Sequence, residues 1–316
     1  MQAIGIDIGY GYTKINTGAR VESYPSIVGN CEENRISIGF ERHLPEMIEI
    51  DGEKFLVGES AKRYSSRNYQ VRDRNWINTK PYRALAKHSL ARSGVKGEAV
   101  ITTGLPVAYH QADKERLARI IQDLARESGI VASVHVLPQP AGSFFSLLFN
   151  EKGEILDSRL ASQRVGVLDV GFYTTDLITV DGLQTVDKQV ATIESGVSTA
   201  LEAIRRDITD AYNLNDLYLY RVEEAVRRRK ISVFGEDQDI SKIVGNRLRE
   251  LEAEIEAQAQ TIWGNGADLD RVILAGGGAE MLSPYLNLYR HATVLRDAAA
   301  ANAAGFYRHS MRKAKA

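Results

Sequence analysis

The sequence contains a single cysteine, Cys31, among its 316 residues. One cysteine excludes an internal disulfide and a cysteine cluster for zinc or iron–sulfur chemistry, and it is typical of a reducing compartment. The six histidines show no metal-ligand spacing, and proline is scarce, with seven residues. Since the apolar content of 44% is ordinary for folded proteins, a largely disordered chain is excluded as well.

Long hydrophobic runs and an excess of one charge are also missing. The most apolar run, 144–149, is far too short to cross a bilayer, and the first five residues lack the features of a signal peptide. Forty basic against 41 acidic side chains give a net charge of −1, so no global field favours nucleic acid or an anionic membrane. The basic stretch 308–315 has almost no apolar face, unlike a membrane-binding helix. We expect a cytoplasmic protein without direct contact to membranes or nucleic acid.

What the chain does contain is an internal repeat. Residues 3–8 predict a short buried strand, which the turn Gly9-Tyr10-Gly11 joins to a second strand over 12–16. Half a chain later, residues 166–177 repeat this order of apolar strand, Asp-x-Gly, aromatic residue and strand. Two related halves are the simplest explanation. The positions that align without a gap are Asp7 with Asp169, Gly9 with Gly171, Tyr10 with Phe172 and Thr13 with Thr175.

The rest of the pattern predicts strands and helices in two domains, because 316 residues exceed the roughly 250–300 at which one hydrophobic core stops growing. Segments 99–103 and 131–137 predict strands with a helix between them, and such a unit pairs in parallel. An apolar stripe over 244–262 predicts a long amphipathic helix beside the second half. The polar stretch 32–96 matches neither repeat, so we expect an inserted subdomain there.

Two glycine loops follow the repeated strands. In the motif Asp7-x-Gly9-x-Gly11-x-x-Lys14, the glycines let backbone N–H groups approach an anion, and Lys14 supplies a positive charge for phosphate oxygens. The carboxylate of Asp7 can hold the hydration shell of Mg²⁺. Although Asp-x-Gly is also common turn chemistry, the second copy at 169–175 favours a ligand, because two matching loops can clasp a polyphosphate from opposite sides.

A third loop, Gly276-Gly277-Gly278, follows the β-like segment 271–274 and precedes helix-like sequence. Glycine in this context permits close approach to a flat base and its ribose. The simpler alternative is a strand-to-helix turn. Three consecutive glycines exceed what such a turn needs, so we expect this loop to contact a ligand.

Five segments, taken in order, resemble the five-part signature of the actin, sugar-kinase and heat-shock-chaperone ATPase superfamily. In that superfamily they are phosphate loop one, the first connecting helix, phosphate loop two, the adenosine loop and the second connecting helix. The segments of this chain are 7–14, 136–142, 169–171, 275–278 and 299–305. The opening motif, the Tyr24-Pro25-Ser26 that follows it and the modest length are most similar to the prokaryotic actin-like proteins of plasmid partitioning, the ParM/StbA group, and to archaeal relatives.

The resemblance implies an α/β, actin-like (ribonuclease-H-like) duplicated fold, with two domains and smaller inserted subdomains around a nucleotide cleft. Domain I would comprise 1–160 plus 296–316, with an insertion at about 29–96, and domain II would comprise 161–295, with an insertion at about 197–262. The implied ligands are ATP or GTP and Mg²⁺, with Asp7 and Asp169 as metal residues. The implied nucleotide-binding residues are Asp7, Gly9, Tyr10, Gly11, Tyr12, Lys14, Asp169, Gly171, Phe172, Tyr173, Thr174, Gly196, Glu224, Arg228, Gly276, Gly277 and Gly278.

Gln139, between Pro138 and Pro140 at the start of a helix-like run, is the residue that we expect to be catalytic. Its amide can hold the attacking water in line with the γ-phosphate, as a Gln does in GTPases. The alternative is an ordinary polar residue at a helix start. Sugar kinases of the superfamily use an Asp to take the proton of a substrate hydroxyl, and no Asp lies in 131–149. Water is therefore the expected acceptor.

The expected function is that of a filament-forming actin-like ATPase that segregates plasmid DNA through a DNA-binding adaptor protein and whose hydrolysis controls disassembly. Its partners would be copies of itself and that adaptor. One alternative is a small-molecule kinase of the sugar-kinase type, which needs a catalytic Asp and a sugar pocket that the sequence does not display clearly. The other is a chaperone ATPase, which needs a peptide-binding domain after the nucleotide domain, whereas this sequence stops shortly after the last motif.

Overall fold

The computed structural model describes residues 1–31, 45–69, 74–215, 217–284 and 289–315. The chain divides into two compact units: unit 1 is Met1–Ser158 with Ala300–Ala316, and unit 2 is Arg159–Ala299. Two parts of the insertion predicted at 32–96, namely 32–44 and 70–73, lie outside the described residues. Each unit contains a five-stranded sheet of its own.

The N-terminal part of unit 1 contains the first predicted hairpin and the predicted strand–helix–strand segment. In chain order its elements are β1 (Gln2–Ile8), β2 (Tyr12–Asn16), β3 (Val21–Pro25), β4 (Val28–Asn30), β5 (Met47–Ile50), β6 (Glu53–Val57), α1 (Glu59–Tyr64), β7 (Asn68–Tyr69), a 3₁₀ turn (Arg74–Asn78), α2 (Lys80–Ser93), β8 (Gly97–Leu105), α3 (Val107–Glu127), β9 (Ile130–Pro138) and α4 (Gln139–Leu148). β1 pairs antiparallel with β2, and β8 pairs in parallel with β9, so both predictions are confirmed.

The strand order of the main sheet in unit 1 is β3-β2-β1-β8-β9, and a four-stranded sheet of order β5-β6-β4-β7 is inserted between β3 and α2. α2 begins where the Thr79 hydroxyl accepts a hydrogen bond from the backbone N–H of Tyr82, and it ends at Gly94, whose φ of 68° suits glycine. One face of α2 is buried in the core that β1 and β8 also share. The helix therefore belongs to the core of the unit, although its sequence neighbours are polar.

Unit 2 repeats this architecture. Its elements are β10 (Arg164–Val170), β11 (Thr175–Asp181), β12 (Gln184–Ile193), α5 (Val197–Tyr212), α6 (Leu219–Arg228), β13 (Lys230–Val233), β14 (Glu236–Asp239), α7 (Ser241–Trp263), β15 (Arg271–Ala275), α8 (Gly277–Leu282) and β16 (Ala292–Val294). Its sheet order, β12-β11-β10-β15-β16, matches that of unit 1 strand for strand. The predicted long helix is confirmed as α7, which buries the predicted stripe residues Val244, Leu248, Leu251 and Ile255.

The last helix, α9 (Ala301–Ala314), returns to unit 1 and packs against β1 and α4 at backbone distance. A Cβ atom on Gly305 would lie 1.7 Å from the carbonyl oxygen of Gly142, and one on Gly5 would lie 2.3 Å from the carbonyl oxygen of Ala303. Only glycine fits where two backbones approach this closely. The basic stretch at the C-terminus belongs to this helix, and its buried residues are the polar His309 and Ser310, whereas the apolar buried residues of α9 precede it.

Replacing Gly305 by Ala should lower the free energy of unfolding by about 1–3 kcal/mol or more, because the added methyl group overlaps the backbone of α4. A decrease in the free energy of unfolding would identify the close backbone contact as its cause, since replacing Gly by Ala inside a helix otherwise stabilises a protein by roughly 1 kcal/mol. Urea unfolding followed by circular dichroism measures the change. The matched control is Gly277→Ala, whose Cβ would meet only Ala299, at 3.9 Å; equal stability of both variants would contradict this account of the contact.

Two buried imidazoles make unit 1 sensitive to acid. His309 on α9 stacks on Phe145 with ring centroids 5.5 Å apart, and its Nδ1 lies 3.0 Å from the hydroxyl of Thr102. Burial, with His135 and Lys313 nearby, lowers the pKa of His309 to about 4. Burial likewise lowers the pKa of His88 to about 4. The folded state therefore prefers both rings neutral.

The free energy of unfolding should fall as the pH drops from about 6.5, the pKa of an unfolded imidazole, towards 4. Above pH 7 both states hold the rings neutral, so the full stabilisation is present there. Urea titrations at pH 7.5 and pH 4.5 measure the loss. The variant His309→Gln should lose clearly less stability between these two pH values than the parent, and an equal loss in both proteins would show that His309 does not contribute.

Candidate functional site

The loop between β1 and β2 is a tight turn, and a serine that directly follows β3 holds it in place. The backbone N–H of Gly9 donates to the carbonyl of Tyr12 at 3.2 Å. The hydroxyl of Ser26 donates to the carbonyl of Gly9 at 2.6 Å, and its backbone N–H donates to the carbonyl of Gly11 at 2.8 Å. Ser26 was not predicted as a site residue, because nothing in its local sequence shows that the chain returns to this loop.

Asp7, Lys14 and Gln139 meet at the base of this loop. Asp7 is only 3% exposed, and Lys14 lies directly opposite it on β2. The ammonium Nζ of Lys14 is 3.1 Å from one carboxylate oxygen of Asp7, and the amide Nε2 of Gln139 donates to the other at 3.2 Å. The structure therefore brings together a carboxylate, a cation and an amide that lie up to 132 positions apart in the sequence.

Two features of the fold place Gln139 beside Asp7. β9 ends at Pro138, and α4 begins at Gln139 itself, so its side chain lies at the end of the strand. Gly104, at the end of the neighbouring strand β8, leaves room for it, because a Cβ on Gly104 would lie 3.0 Å from the Cγ of Gln139. The need for glycine at 104 was not predicted, since it arises from the packing of Phe306 in α9 and Gln139 in α4 against this strand.

The second loop, in unit 2, has the same turn and a different support. The N–H of Gly171 donates to the carbonyl of Thr174 at 2.9 Å, as Gly9 does to Tyr12. At the start of α5, the N–H groups of Val197 and Ser198 donate to the carbonyls of Gly171 and Phe172 at 3.1 and 2.7 Å. This contact requires glycine at 196, where a Cβ would lie 2.8 Å from both carbonyl oxygens.

The duplicated hairpins differ in charge at one position. Where unit 1 has Lys14 opposite Asp7, unit 2 has Asp176 opposite Asp169. These two aspartates are 2% and 5% exposed, and the Thr192 hydroxyl donates to Asp176. Like charges so close raise the free energy of the doubly ionised pair. A cation held at Asp169 would lower that free energy, so the donor set fits the predicted Mg²⁺.

The third loop lies against the second within unit 2. β15 pairs in parallel with β10, which places Ala275 beside Asp169. Gly276 adopts φ +84°, and a Cβ there would lie 2.4 Å from the carboxylate of Asp169. A Cβ on Gly278 would overlap Val170, whereas one on Gly277 would meet only Ala299. Two of the three glycines are therefore required by packing, and Gly277 alone has free space.

The other predicted residues lie in three places. Tyr10 stacks on Trp76 with ring centroids 5.9 Å apart, and Tyr12 is half-buried in β2. Phe172 packs against the core of unit 2, Thr174 is buried and Tyr173 is half-buried. Glu224 and Arg228 are exposed on α6, away from the buried face of that helix. Their roles stay predictions.

Within the described ranges, no group of three or more His, Cys, Asp or Glu side chains is arranged to hold a metal ion. The assignment of Asp7 and Asp169 to Mg²⁺ stays a prediction. Mg²⁺ is commonly held by one or two carboxylates together with substrate phosphates and water. In the described part of the chain, no helix is both long and apolar enough to cross a bilayer.

Two family models match consecutive parts of the chain. The N-terminal domain of actin-like proteins matches residues 5–142, and the C-terminal domain of the archaeal MreB-like actin homologues matches residues 167–287. The first match contains the loop of Asp7 together with Gln139. The second contains the loops of Asp169 and Gly277.

Solved structures of similar fold cover nearly the whole chain. A ParM of Clostridium botulinum, determined as a 15-stranded filament, is 22% identical over 98% of this chain and 99% of its own, with a TM-score of 0.75. An archaeal actin homologue in complex with ADP is 21% identical over 99% and 100%, with a TM-score of 0.73. A Bacillus thuringiensis ParM with ATP is 16% identical over 100% of both chains, with a TM-score of 0.68. The predicted actin-like fold is confirmed.

Replacing Gly277 by Val should weaken the binding of Mg²⁺-ATP by more than tenfold, or about 1.4 kcal/mol. A Cβ at this position would meet only Ala299, at 3.9 Å, so the branched side chain is directed into the space beside the third loop where we expect a base or ribose. Isothermal titration measures the affinity after circular dichroism has shown a folded variant. Gly277→Ala, with its smaller side chain, should show a smaller loss. Unchanged affinity in a folded Gly277→Val protein would remove this loop from the site.

Proposed function

Since the chain belongs to the prokaryotic actin-like proteins, we propose that it is a nucleoside triphosphate hydrolase, with ATP or GTP as substrate, that assembles into filaments. We further propose that these filaments segregate plasmid DNA through a DNA-binding adaptor protein. Hydrolysis would control disassembly. The relatives that bind ADP or ATP, or form filaments, support this proposal through their shared fold.

The contact between Gln139 and Asp7 is the observation that favours hydrolysis most strongly. Because the amide NH₂ of Gln139 donates to Asp7 at 3.2 Å, its carbonyl oxygen is left to accept a hydrogen bond from water. An oriented water beside a phosphate loop is what phosphoryl transfer to water requires. A sugar-type kinase would need a carboxylate at this position, and the side chain there is an amide.

The remaining residues would bind the nucleotide. Lys14 and the turn at Gly9 would hold phosphate oxygens, and the side chain of Lys14 is 14% exposed while paired with Asp7. Mg²⁺, coordinated through Asp7 and Asp169, would neutralise phosphate charge. Gly277 would admit the base or ribose. The net charge of the whole chain is −1, and a protein that binds DNA phosphates directly is expected to be basic. Contact with DNA through an adaptor protein therefore fits this charge better than direct binding.

Nucleotide-dependent assembly tests the proposed function. Purified protein is followed by light scattering and pelleting with Mg²⁺ and ATP, with Mg²⁺ and GTP, and without nucleotide. Assembly only with triphosphate, followed by phosphate release and disassembly, is the expected result. Nucleotide hydrolysis without any assembly would contradict the filament, and phosphorylation of a small molecule would indicate a kinase instead.

Gln139→Ala should bind Mg²⁺-nucleotide nearly as well as the parent but hydrolyse it about a hundredfold more slowly, the scale expected for a misplaced reactant. Its filaments should persist after those of the parent have fallen apart. Phosphate release and light scattering recorded in one time course measure both effects. Gln111→Ala, an exposed glutamine of α3, is the matched control. Parental hydrolysis by the Gln139 variant would remove this residue from the mechanism.

A further inference from the structure

A small cavity in unit 1 lies against the side chain of Gln139. Its walls include Ile8, Tyr10, Trp76 and Asp113, and its volume is about 20 Å³. A cavity needs a volume of roughly 10–15 Å³ to hold one buried water, and that water needs two to four polar partners. The cavity therefore has space for one water beside the residue that we expect to orient the attacking water.

Trp76 lines this cavity and carries a buried hydrogen-bond donor. Its side chain is 6% exposed, and its indole Nε1–H has no hydrogen-bond partner among the residues that the structure describes. An indole N–H can only donate, and leaving a buried donor without an acceptor is unfavourable. A water in the cavity would supply the acceptor. The orphaned N–H is thus an observation in favour of such a water.

Asp113 is an acidic residue that also lines this cavity. It lies in the second turn of α3 and is 2% exposed, with the guanidinium of Arg116 3.5 Å from one of its oxygens. Asp113 is 26 positions before Gln139 in the sequence, and the packing of α3 on the sheet brings it to the same cavity. A carboxylate can accept a proton, which an amide cannot.

The proposed role of Gln139 does not provide an acceptor for the proton of the attacking water. The amide orients the attacking water but is not a base, so the proton that this water loses needs another destination. A water between Trp76, Asp113 and Gln139 would connect the attacking water to a carboxylate. Each of the three side chains lines the one cavity.

We propose that Asp113, acting through a water held in this cavity, is the positioning residue that accepts the proton of the attacking water; the proposal rests on the proposed nucleotide hydrolysis. As the water oxygen bonds to the γ-phosphorus, the bond from that phosphorus to the bridging oxygen breaks, and its electron pair stays on the nucleoside diphosphate. One proton of the attacking water moves to the cavity water, which passes one of its own to Asp113. That proton leaves to phosphate or solvent afterwards.

The first test compares Asp113→Asn with Asp123→Asn. Asp123 lies on the same helix, pairs with an arginine three residues later as Asp113 does, and is exposed. Asp113→Asn should lower kcat about a hundredfold, which is the scale of general base catalysis. Its nucleotide affinity should stay within about twofold of that of the parent. Asp123→Asn should change neither. Equal kcat in the two variants would overturn the proposal.

Chemical rescue separates proton acceptance from a purely structural role. In Asp113→Ala, sodium formate should restore part of the lost kcat, whereas sodium chloride at the same ionic strength should not. Failure of formate to restore kcat in a folded Asp113→Ala protein would assign Asp113 a structural role and overturn the proposal.

Trp76→Phe keeps an aromatic ring but removes the N–H, and it tests the cavity water even where the Asp113 variants do not fold. Its kcat should fall several-fold with unchanged nucleotide affinity, and a parental kcat would overturn the water-mediated step.

The behaviour of the parent protein distinguishes failure of this inference from failure of the proposed function. If the parent neither binds nor hydrolyses nucleotide, the proposed function fails; if it hydrolyses nucleotide and the variants match it, only the role of Asp113 fails.

Discussion

Unit 1 depends on the contact between the backbones of α9 and α4. Glycines at 5, 142 and 305 let α9 lie against β1 and α4 with no side chain between them. The helix that carries Gln139 at its first residue is fixed by this contact, and Asn302 reinforces it by accepting hydrogen bonds from the backbone and hydroxyl of Ser143. The chain termini and the candidate site are thus held by one packed layer. A side chain of any size at 305 would shift that layer.

The duplicated hairpin shows how one turn can support two electrostatic roles. Backbone geometry is the same in both copies, since Gly9 and Gly171 make equivalent hydrogen bonds. The residue opposite the repeated aspartate is a lysine in unit 1 and an aspartate in unit 2. The first copy is therefore nearly neutral and the second has an excess of negative charge. Phosphate is better matched to the first copy and a cation to the second.

Local sequence was sufficient for the hairpins, the strand–helix–strand segment, the repeat and the long helix, because each depends on the order of apolar residues and glycines within a short segment. It was insufficient for Ser26, Gly104 and Asp113. Their significance arises from neighbours that are distant in sequence, such as the loop at Gly9 or the side chain of Gln139. Gly305 in α9 has the same kind of significance, because it matters only through the backbone of α4 that it contacts.

Asp7 couples the charge of the site to the position of Gln139. One of its oxygens pairs with Lys14 and the other accepts the hydrogen bond of the Gln139 amide. An arriving phosphate would attract Lys14 and so weaken its pairing with Asp7, while a bound cation would compete for the same carboxylate. Either event alters the charge on the oxygen that holds the amide. The position of the Gln139 amide is therefore linked physically to the charge around the loop at Gly9, because both depend on one buried carboxylate.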